Sequence, residues 1–359
     1  MRILHFIGTL KTGGAERQLS ILSRAQASFG HEVHVGFGES GPFHSEMSQG
    51  GVQMHPIEKR SNRDIRILRS VRDVLCAVKP DVVQTWLPQM DAAAGLLCVV
   101  KNIPWVMTER TCRAAYRMSS TTDLPRLVLG YFADAVVANS DAGREMWARR
   151  SRSRTFVIRN ALDLDAIANA PIATEASIGF SRPYILVAGR LTASKNIELL
   201  LDVADDICES TDANVVFCGD GPLESMVRER VKRKRRSDRI VLFGSRPDIW
   251  GLMKAATAFV SASKFEGQPN AALEAMACGC PLIVSNIPAH SEFLNASSAF
   301  FVPRLTKTCL AEAIKQTLAD SGLRAARADE AFRMASTFTP ARAAQSYDLV
   351  YDYILSRRQ

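Results

Sequence analysis

The chain of 359 residues repeats one pattern in both halves: a short apolar run followed by a segment with helical periodicity. Alternation of this kind favours a parallel sheet with helices on both faces. The pattern starts with RILHFIG, and it starts again with PYILVAG after the small and polar residues 168–183. The length is sufficient for two domains of ordinary size. We therefore predict an α/β protein with two doubly wound, Rossmann-like domains and a linker at residues 168–183.

Composition and charge narrow the class of protein. No apolar run reaches the roughly 18 residues of a membrane span, and the apolar start is too short for a signal peptide, so we expect a cytoplasmic protein. The eight cysteines show no metal-binding spacing, which predicts buried, reduced thiols. The net charge of +8 predicts an anionic partner.

Two basic segments, residues 144–159 and 228–239, carry much of this charge. Neither interleaves aromatic residues for base stacking and no recognition motif is present, so nucleic acid is not an expected partner. Two interpretations remain open. The segments are either solvated helix faces or they attract an anionic membrane, which would place the protein peripherally at the cytoplasmic face of the inner membrane.

The segment Ser261–Pro281 (SASKFEGQPNAALEAMACGCP) combines a strand end, a Gly/Pro loop and a short helix. Asn270 is a favoured N-cap for that helix. A helix that starts after a strand presents free backbone N–H groups, which suit a phosphate or diphosphate. Glu266 and Glu274 should lie roughly 10 Å apart, so they suit the two ends of one extended ligand with a diphosphate between them.

Further candidates follow the first strand of each half. Gly189 and Arg190, with Lys195 shortly after them, lie between a strand and the next helix, where two cations make a phosphate site. Gly13 and Gly14 hold the equivalent position in the first half, where small residues allow a ligand to approach the backbone. The pattern there is not G-x-G-x-x-G, so the nicotinamide-type fingerprint is absent.

The stretch SKFEGQPNAALEAMACGCP closely resembles the E-x7-E signature of the retaining, nucleotide-sugar-dependent glycosyltransferases of family 4 (glycosyl transferase group 1). Residues 189–196 are similar to the G-R-x4-K-N element of that family, and GGAE at 13–16 is similar to its glycine loop. The resemblance covers nearly the whole chain and is specific in residues 185–292.

The resemblance implies the GT-B fold, in which two doubly wound domains face each other across a cleft. It implies an N-terminal acceptor-binding domain (1–170), a C-terminal domain that binds the nucleotide sugar (171–338), and a C-terminal helix (339–359) that crosses back to the first domain.

The resemblance also implies roles for individual residues. Glu266 approaches the donor sugar and Glu274 hydrogen-bonds the ribose, while Arg190 and Lys195 neutralise the diphosphate as its bond to the sugar breaks. The other implied donor-binding residues are Gly13, Gly14, Gly189, Gly219, Phe243, Gly267, Asn270 and Ala271. Two cations can stabilise the leaving group without a metal, so we expect no cofactor. The pair Asp163 and Asp165 is similar to a D-x-D metal motif by its letters alone, and we interpret it as chance.

One departure from the family pattern concerns the first domain. Many relatives carry a histidine after the fourth strand, whereas this chain offers only Gln84, Trp86, Gln89 and Asp91. The nearby strand histidines, His5, His34 and His55, are more typical of core or surface positions. We expect Glu109 and Arg110, at the end of the fifth strand, to face the cleft, and we predict a catalytic role for Arg110.

The sequence therefore predicts a retaining glycosyltransferase that moves a hexose or N-acetylhexosamine from a nucleotide sugar, a UDP-sugar, to a glycan or lipid-linked acceptor in bacterial surface polysaccharide synthesis. Two alternatives stay open. One is a catalytically silent GT-B scaffold subunit, which the missing histidine allows, and the other is a nucleotide-sugar epimerase or phosphorylase of the same fold.

Overall fold

The computed structural model describes residues 1–58, 66–116, 123–151, 154–181 and 183–358. Residues 152 and 153 of the first basic segment and residue 182 of the expected linker lie outside the described residues. The chain divides into two compact units. Unit one comprises Met1–Ala161 and Phe338–Gln359, and unit two comprises Leu162–Thr337.

Unit one is built on a parallel sheet of seven described strands. The strands are β1 (Arg2–Ile7), β2 (Glu32–Phe37), β3 (Gln53–Pro56), β4 (Val82–Trp86), β5 (Trp105–Glu109), β6 (Ala135–Ala138) and β7 (Thr155–Val157). Their order is β3-β2-β1-β4-β5-β6-β7, and every pair is parallel. The order reverses between β1 and β4, as in a doubly wound sheet.

Unit two repeats this plan with six described strands. The strands are β8 (Tyr184–Ala188), β9 (Asn214–Cys218), β10 (Ile240–Gly244), β11 (Ala258–Ser261), β12 (Leu282–Ser285) and β13 (Phe300–Val302). Their order is β10-β9-β8-β11-β12-β13, again all parallel, so the reversal falls between β8 and β11. The prediction of two doubly wound α/β domains is confirmed.

Helices connect the strands in both units. Those in the described residues are α1 (Gly14–Ser28), α2 (Phe43–Gln49), α3 (Arg66–Val78), α4 (Leu87–Lys101), α5 (Asp123–Leu129), α6 (Asp141–Ser151), α7 (Leu164–Asn169), α8 (Glu175–Ile178), α9 (Ile197–Ser210), α10 (Glu224–Lys232), α11 (Ile249–Ala255), α12 (Asn270–Ala277), α13 (Pro288–Ser291), α14 (Lys307–Ala319), α15 (Ser321–Ala335) and α16 (Pro340–Ser356). Short 3₁₀ turns occur at Arg113–Ala115, Gly130–Phe132 and Ala193–Lys195.

Apolar side chains cover both faces of the unit-one sheet. One core joins β1 to α1 and to the C-terminal helix α16, through residues such as Ile3, Leu19 and Tyr351. The other core lies under α3 and α4 and includes Val71 and Trp105. Because the α16 side chains are buried in the first of these cores, this helix belongs to unit one although it follows unit two in the chain.

The boundary between the units lies earlier than residue 170, where we expected it. The carboxylate of Asp163 accepts a hydrogen bond from the backbone N–H of Ala166 at 3.2 Å and so caps α7, which packs against α12 of unit two. The expected linker also contains α8, which a Thr174–Ser177 capping box begins. Helices this short carry too few apolar residues to show a period, so the sequence pattern missed them.

Within the described ranges, no helix is both long enough and apolar enough to cross a bilayer.

Candidate active site

The switch point of unit two brings the main sequence candidates together. The loop after β8 carries Gly189 and Arg190, and its 3₁₀ turn ends at Lys195. The loop after the neighbouring strand β11 carries Glu266 and leads into α12. Residues of both loops line one pocket in unit two, and Ala271 of α12 lines it as well. Ligands of doubly wound sheets bind at this edge, outside the carboxyl ends of the strands.

Two residues that line this pocket, Lys195 and Ser263, both hydrogen-bond the carboxylate of Glu266. The Lys195 Nζ donates a hydrogen bond to Oε1 of Glu266, and the Ser263 hydroxyl donates to the same oxygen at 2.7 Å. The side chains of Lys195 and Glu266 are only 25% and 14% exposed. Both bonds end on Oε1, so Oε2 is the oxygen that can face a ligand. Lys195 has three N–H donors, and this arrangement leaves two of them for phosphate oxygens.

Arg190 is exposed, and no acid among the described residues forms an ion pair with it. Its charge is therefore available to a ligand at the pocket. An unpaired cation beside a lysine that already has a carboxylate partner gives this edge the net positive charge that a diphosphate requires.

His290 contacts the strand ends beside the Glu266 loop, and the sequence did not indicate this role. It is fully buried, its Nδ1 lies 2.9 Å from the carbonyl oxygen of Ser285, and its Nε2 lies 3.3 Å from the Ser261 hydroxyl. Burial lowers the pKa of His290 to about 4, so the ring is neutral at pH 7. The Ser285 hydroxyl in turn donates to the carbonyl of Ser263 at 2.7 Å, which fixes the residue that holds Glu266.

Close backbone packing positions the loop after β8. Gly219 has a φ of +145°, and a Cβ placed on it would lie 2.0 Å from the carbonyl oxygen of Gly189. The N–H of Leu191 donates to the carbonyl of Asp220 at 2.7 Å, which ties the loops after β8 and β9 together. Only glycine fits at Gly219 for both reasons. This predicted donor-binding residue therefore acts on the site by holding Gly189 and Arg190 in place.

The start of α12 differs from the prediction. Asn270 is the first residue of the helix, and Pro269 takes the N-cap position with an extended backbone, so the prediction of Asn270 as the N-cap is wrong. The carbonyl of Pro269 accepts from the N–H groups of Ala272 and Leu273 and thereby starts the helix. The N-cap residue Pro269 makes no side-chain hydrogen bond to the first turn, and that terminus, next to the small residues Gly267 and Ala271, suits an anion.

Glu274 and Phe243 lie in different surroundings. Glu274 is buried and accepts a hydrogen bond from Nε1 of Trp250 at 3.2 Å, a partner that its spacing in the sequence did not reveal. The ring of Phe243 stacks on Phe180 at a centroid distance of 6.2 Å, and the guanidinium of Arg246 lies 5.0 Å from its centroid. The ribose and base roles of Glu274 and Phe243 stay predictions.

The glycine pair of unit one follows β1, as expected. Gly13 is extended and precedes α1, and Gly14 is the first residue of that helix. A Cβ on Gly13 would lie 2.2 Å from Oε2 of Glu16, so Gly13 makes room for this buried carboxylate. That either glycine contacts donor phosphates stays a prediction.

Arg110 is held by neighbours within unit one. Its guanidinium donates to Oδ1 of Asn160 at 2.7 Å and to the hydroxyl of Tyr347 at 3.1 Å, and it lies 4.2 Å from the centroid of the Trp86 ring. These contacts tie the end of β5 to α16. They indicate a structural role, and the catalytic role of Arg110 stays a prediction.

Glu109 and Arg110 both line a pocket of unit one at the end of β5, and the expectation that they face a cleft stays a prediction. Glu109 is fully buried and accepts hydrogen bonds from Arg126 at 2.9 Å and from the Tyr116 hydroxyl at 2.6 Å. Arg126 also donates to Asp91 at 2.5 Å. Burying an unpaired carboxylate costs free energy. The guanidinium of Arg126 pairs with both Glu109 and Asp91 and offsets this cost.

Most of the residues at the place where many relatives carry a histidine make hydrogen bonds inside unit one. Gln84 accepts from the Tyr351 hydroxyl, and Nε1 of Trp86 donates to Nδ1 of His5 at 3.3 Å. Asp91 is bound as described above. Gln89 is half-buried. These contacts hold Gln84, Trp86 and Asp91 inside unit one, so we assign the role of the missing histidine to none of the three.

The second basic segment pairs its charges with nearby acids. Examples are Arg230 with Asp202 at 2.5 Å and Lys234 with Asp205 at 3.3 Å. Because acids of α9 face these bases, residues 228–239 form a charge-paired surface rather than an open cationic one. Of the two interpretations left open for this segment, the contacts favour the solvated helix face.

No three His, Cys, Asp or Glu side chains in the described part of the chain are arranged to hold a metal ion. Asp163, half of the D-x-D pair, caps α7 instead.

Two family models match the chain. "Glycosyl transferases group 1" matches residues 175–334, and "Glycosyltransferase Family 4" matches residues 12–166, so together they span most of both units. With the switch-point site, the two doubly wound units define a glycosyltransferase of the GT-B fold. The chain belongs to the family-4, group-1 glycosyltransferases, an enzyme family, as its sequence motifs predicted.

Individual relatives agree with this membership. The chain is 35% identical over 248 residues to the UDP-Gal:alpha-D-GlcNAc-diphosphoundecaprenol alpha-1,3-galactosyltransferase of Escherichia coli, an alignment that covers 63% of this chain and 62% of that protein. It is 26% identical over 211 residues to the Campylobacter jejuni N-acetylgalactosamine-N,N'-diacetylbacillosaminyl-diphospho-undecaprenol 4-alpha-N-acetylgalactosaminyltransferase, covering 57% and 56%. The chain thus spans less than two thirds of the length of these two relatives.

The fold has solved counterparts. The structure of Anabaena Alr3699/HepE in complex with UDP-glucose superposes with a TM-score of 0.83 at 19% identity, and the match covers 99% of this chain and 100% of that one. At this identity the likeness concerns the fold alone, and it confirms the GT-B prediction.

Proposed function

We propose that this protein transfers a hexosyl or N-acetylhexosaminyl residue from a UDP-sugar to a glycan or lipid-linked acceptor in bacterial surface polysaccharide synthesis. The observation that carries the proposal is the junction of Arg190, Lys195 and Glu266 at the switch point of unit two. The choice of a lipid-diphosphate acceptor draws support from the two bacterial relatives, whose names contain diphospho-undecaprenol acceptors. The choice of UDP draws support from the E. coli relative, named for UDP-Gal.

In the proposed reaction, the diphosphate binds between the cations and the N-terminus of α12. As the bond from the anomeric carbon to the phosphate oxygen breaks, negative charge grows on that oxygen, and Arg190 and the two remaining donors of Lys195 stabilise it. Preformed cations of this kind perform the task without a metal, so the proposed reaction is metal-independent.

Glu266 has the role of positioning the donor sugar. Lys195 and Ser263 hold its Oε1, so Oε2 can accept a hydrogen bond from a sugar hydroxyl without reorganisation. Glu274 binds the ribose in this proposal, and the neutral ring of His290 keeps the loop that carries Ser263 in place.

The proposed stereochemical course is retention by front-face substitution. The acceptor oxygen bonds to the anomeric carbon on the face that the phosphate leaves, and the departing phosphate oxygen takes the acceptor proton. Glu109 and Asp91, the unit-one acids considered above, are buried in ion pairs, which supports a route without an enzyme nucleophile. The silent-scaffold alternative is not favoured, because such a subunit does not need this set of charges.

The test is a transfer assay. The purified protein is incubated with UDP-glucose, UDP-galactose and their N-acetylamino counterparts, together with a polyprenyl-diphosphate-linked sugar, with and without a chelator. The proposal predicts that one donor gives a new glycolipid with retained anomeric configuration by NMR and that the chelator has no effect. Glu266→Gln should lower the transfer rate by about 10²-fold, whereas Glu224→Gln, on the paired surface of α10, should leave it unchanged. A folded protein that consumes no donor would overturn the proposal, and chelator sensitivity would overturn its metal-independent part.

A further inference from the structure

Helix α5 and the 3₁₀ turn after it expose an apolar stripe. Leu124, Val128, Tyr131 and Phe132 are each more than half exposed. Their spacing of i, i+4, i+7 and i+8 places them on one side of a nearly continuous helical path. A helix packed on a globular unit normally presents polar residues on its outer face. An outer face made of large apolar side chains is typical of a surface that contacts another body.

The neighbouring helix α4 also exposes apolar residues. It packs against α5 and against the turn Gly130–Phe132. Its last turns expose Leu96, Val99 and Val100, at positions i, i+3 and i+4, and Val100 is 72% exposed. We name these three residues and the four of the α5 stripe the apolar surface.

The inner side of α5 reaches a different environment. Asp123 and Arg126 of α5 line a pocket at the carboxyl ends of β4 and β5, together with Leu87, Glu109 and Tyr116. Arg126 is buried there between Asp91 and Glu109 and donates to the carbonyl of Thr108 at 2.9 Å. A single short helix therefore separates a polar pocket from the apolar surface.

The rim of the apolar surface carries two cations. Lys101, next to Val100, is exposed at the end of α4. Arg154 donates to the carbonyl of Ala133, which follows Phe132. In the described part of the chain neither cation forms an ion pair with an acid, whereas Asp134 is neutralised by Arg358 at 2.8 Å. Large apolar side chains bordered by cations match the interface of an anionic bilayer.

We propose that the apolar surface docks on an anionic lipid bilayer. The apolar stripe enters the boundary between headgroups and acyl chains, with the aromatic rings of Tyr131 and Phe132 at headgroup level. The benefit of docking rests on the proposed function, because docking would bring the polar pocket behind α5 to the membrane that holds a lipid-linked acceptor. A second copy of the chain is a weaker occupant, because a symmetric contact would bring the cationic rim against itself.

Vesicle flotation tests the surface directly. The full chain is mixed with vesicles of phosphatidylethanolamine and phosphatidylglycerol, and the bound fraction is measured for wild type and for Leu124→Asn/Phe132→Asn. The matched control is Leu349→Asn/Phe332→Asn, which removes the same two side-chain types from exposed positions on α16 and α15. We expect the surface variant to partition on the order of tenfold more weakly and the control to bind like wild type. Equal melting temperatures verify that both variants fold.

Three results would overturn the docking proposal: no binding of wild type to these vesicles, equal binding by the surface variant, or a dimer in sedimentation equilibrium that the surface variant alone abolishes. Transfer to a water-soluble acceptor analogue separates this proposal from the proposed function. The surface variant should keep that activity. Turnover without vesicle binding would defeat docking alone, while vesicle binding without any turnover would defeat only the transferase proposal.

Discussion

Replacing Gly219 by alanine tests whether the backbone contact between the loops after β8 and β9 builds the donor site. A Cβ at Gly219 would lie 2.0 Å from the Gly189 carbonyl oxygen, and reaching ordinary contact at 3.4 Å requires a backbone shift of about 1.4 Å. The φ of +145° adds strain of about 1–3 kcal/mol, and overpacking adds about 1–3 kcal/mol. We therefore expect Gly219→Ala to cost about 2–6 kcal/mol, a large part of the roughly 5–15 kcal/mol that stabilises a domain.

Thermal unfolding and UDP titration measure this effect. The melting temperature should fall by at least about 4 °C, at roughly 2–4 °C for each kcal/mol in a unit of this size. UDP affinity should fall about tenfold or more, because the shift displaces Gly189 and Arg190. The control is Gly279→Ala, with a φ of +65° and no atom within 4 Å of the added Cβ, which should cost only about 1–2 kcal/mol and leave affinity unchanged. Equal stability and affinity of Gly219→Ala and wild type would refute the reasoning.

Three further predictions concern individual side chains. Glu266→Gln should lower the transfer rate by about 10²-fold with little change in UDP affinity, whereas Glu274→Gln should weaken UDP binding by about tenfold in calorimetry. Because the pKa of His290 is about 4 when folded and about 6.5 when unfolded, the unfolded state binds its proton first as the pH falls. The free energy of unfolding, measured in urea, should therefore fall by up to about 3 kcal/mol as the pH is lowered from 6.5 to 4. The His290→Asn variant should not show this pH dependence. Arg126→Met leaves two buried carboxylates without their cation and should lower the free energy of unfolding, measured in urea, by about 3–5 kcal/mol. The surface variant Arg228→Met should lower it by less than about 1 kcal/mol.

Each of these predictions has a contrary outcome. Identical kinetic and binding defects in the Glu266 and Glu274 variants would remove their division of roles. If the free energy of unfolding of His290→Asn still depended on pH in this range, groups other than His290 would be responsible. Full stability of Arg126→Met would show that the buried ion-pair cluster is not needed to hold α5.

The sequence predicted the fold because each apolar run is long enough to show its period. RILHFI and YILVA are β1 and β8, and the glycines, Arg190 and Lys195 could be placed after strands by chain order alone. Since parallel strands end at one edge of a sheet, this order also predicted that the Arg190 and Glu266 loops are neighbours. The short helix α8, inside the expected linker, gives no such period and was missed.

Side-chain partners could not be predicted in the same way. Glu109 is the last residue of strand β5, and its carboxylate is buried against Arg126, a residue of the later helix α5. His290 and Trp250 contact the site from distant parts of unit two, and nothing in their local sequence marks them. Burial and partner choice depend on tertiary packing, which is why the pairing of Glu109 with Arg126 and the contacts of His290 were missed.

The central claim is that the switch point of unit two binds a nucleoside diphosphate through Arg190 and Lys195. Isothermal titration of UDP and UMP into wild type and Arg190→Met tests it most directly. The account predicts that wild type binds UDP about tenfold or more tightly than UMP, since only UDP reaches both cations, and that the difference largely disappears in Arg190→Met. Equal affinities of wild type for UDP and UMP, or no binding of either nucleotide, would contradict it.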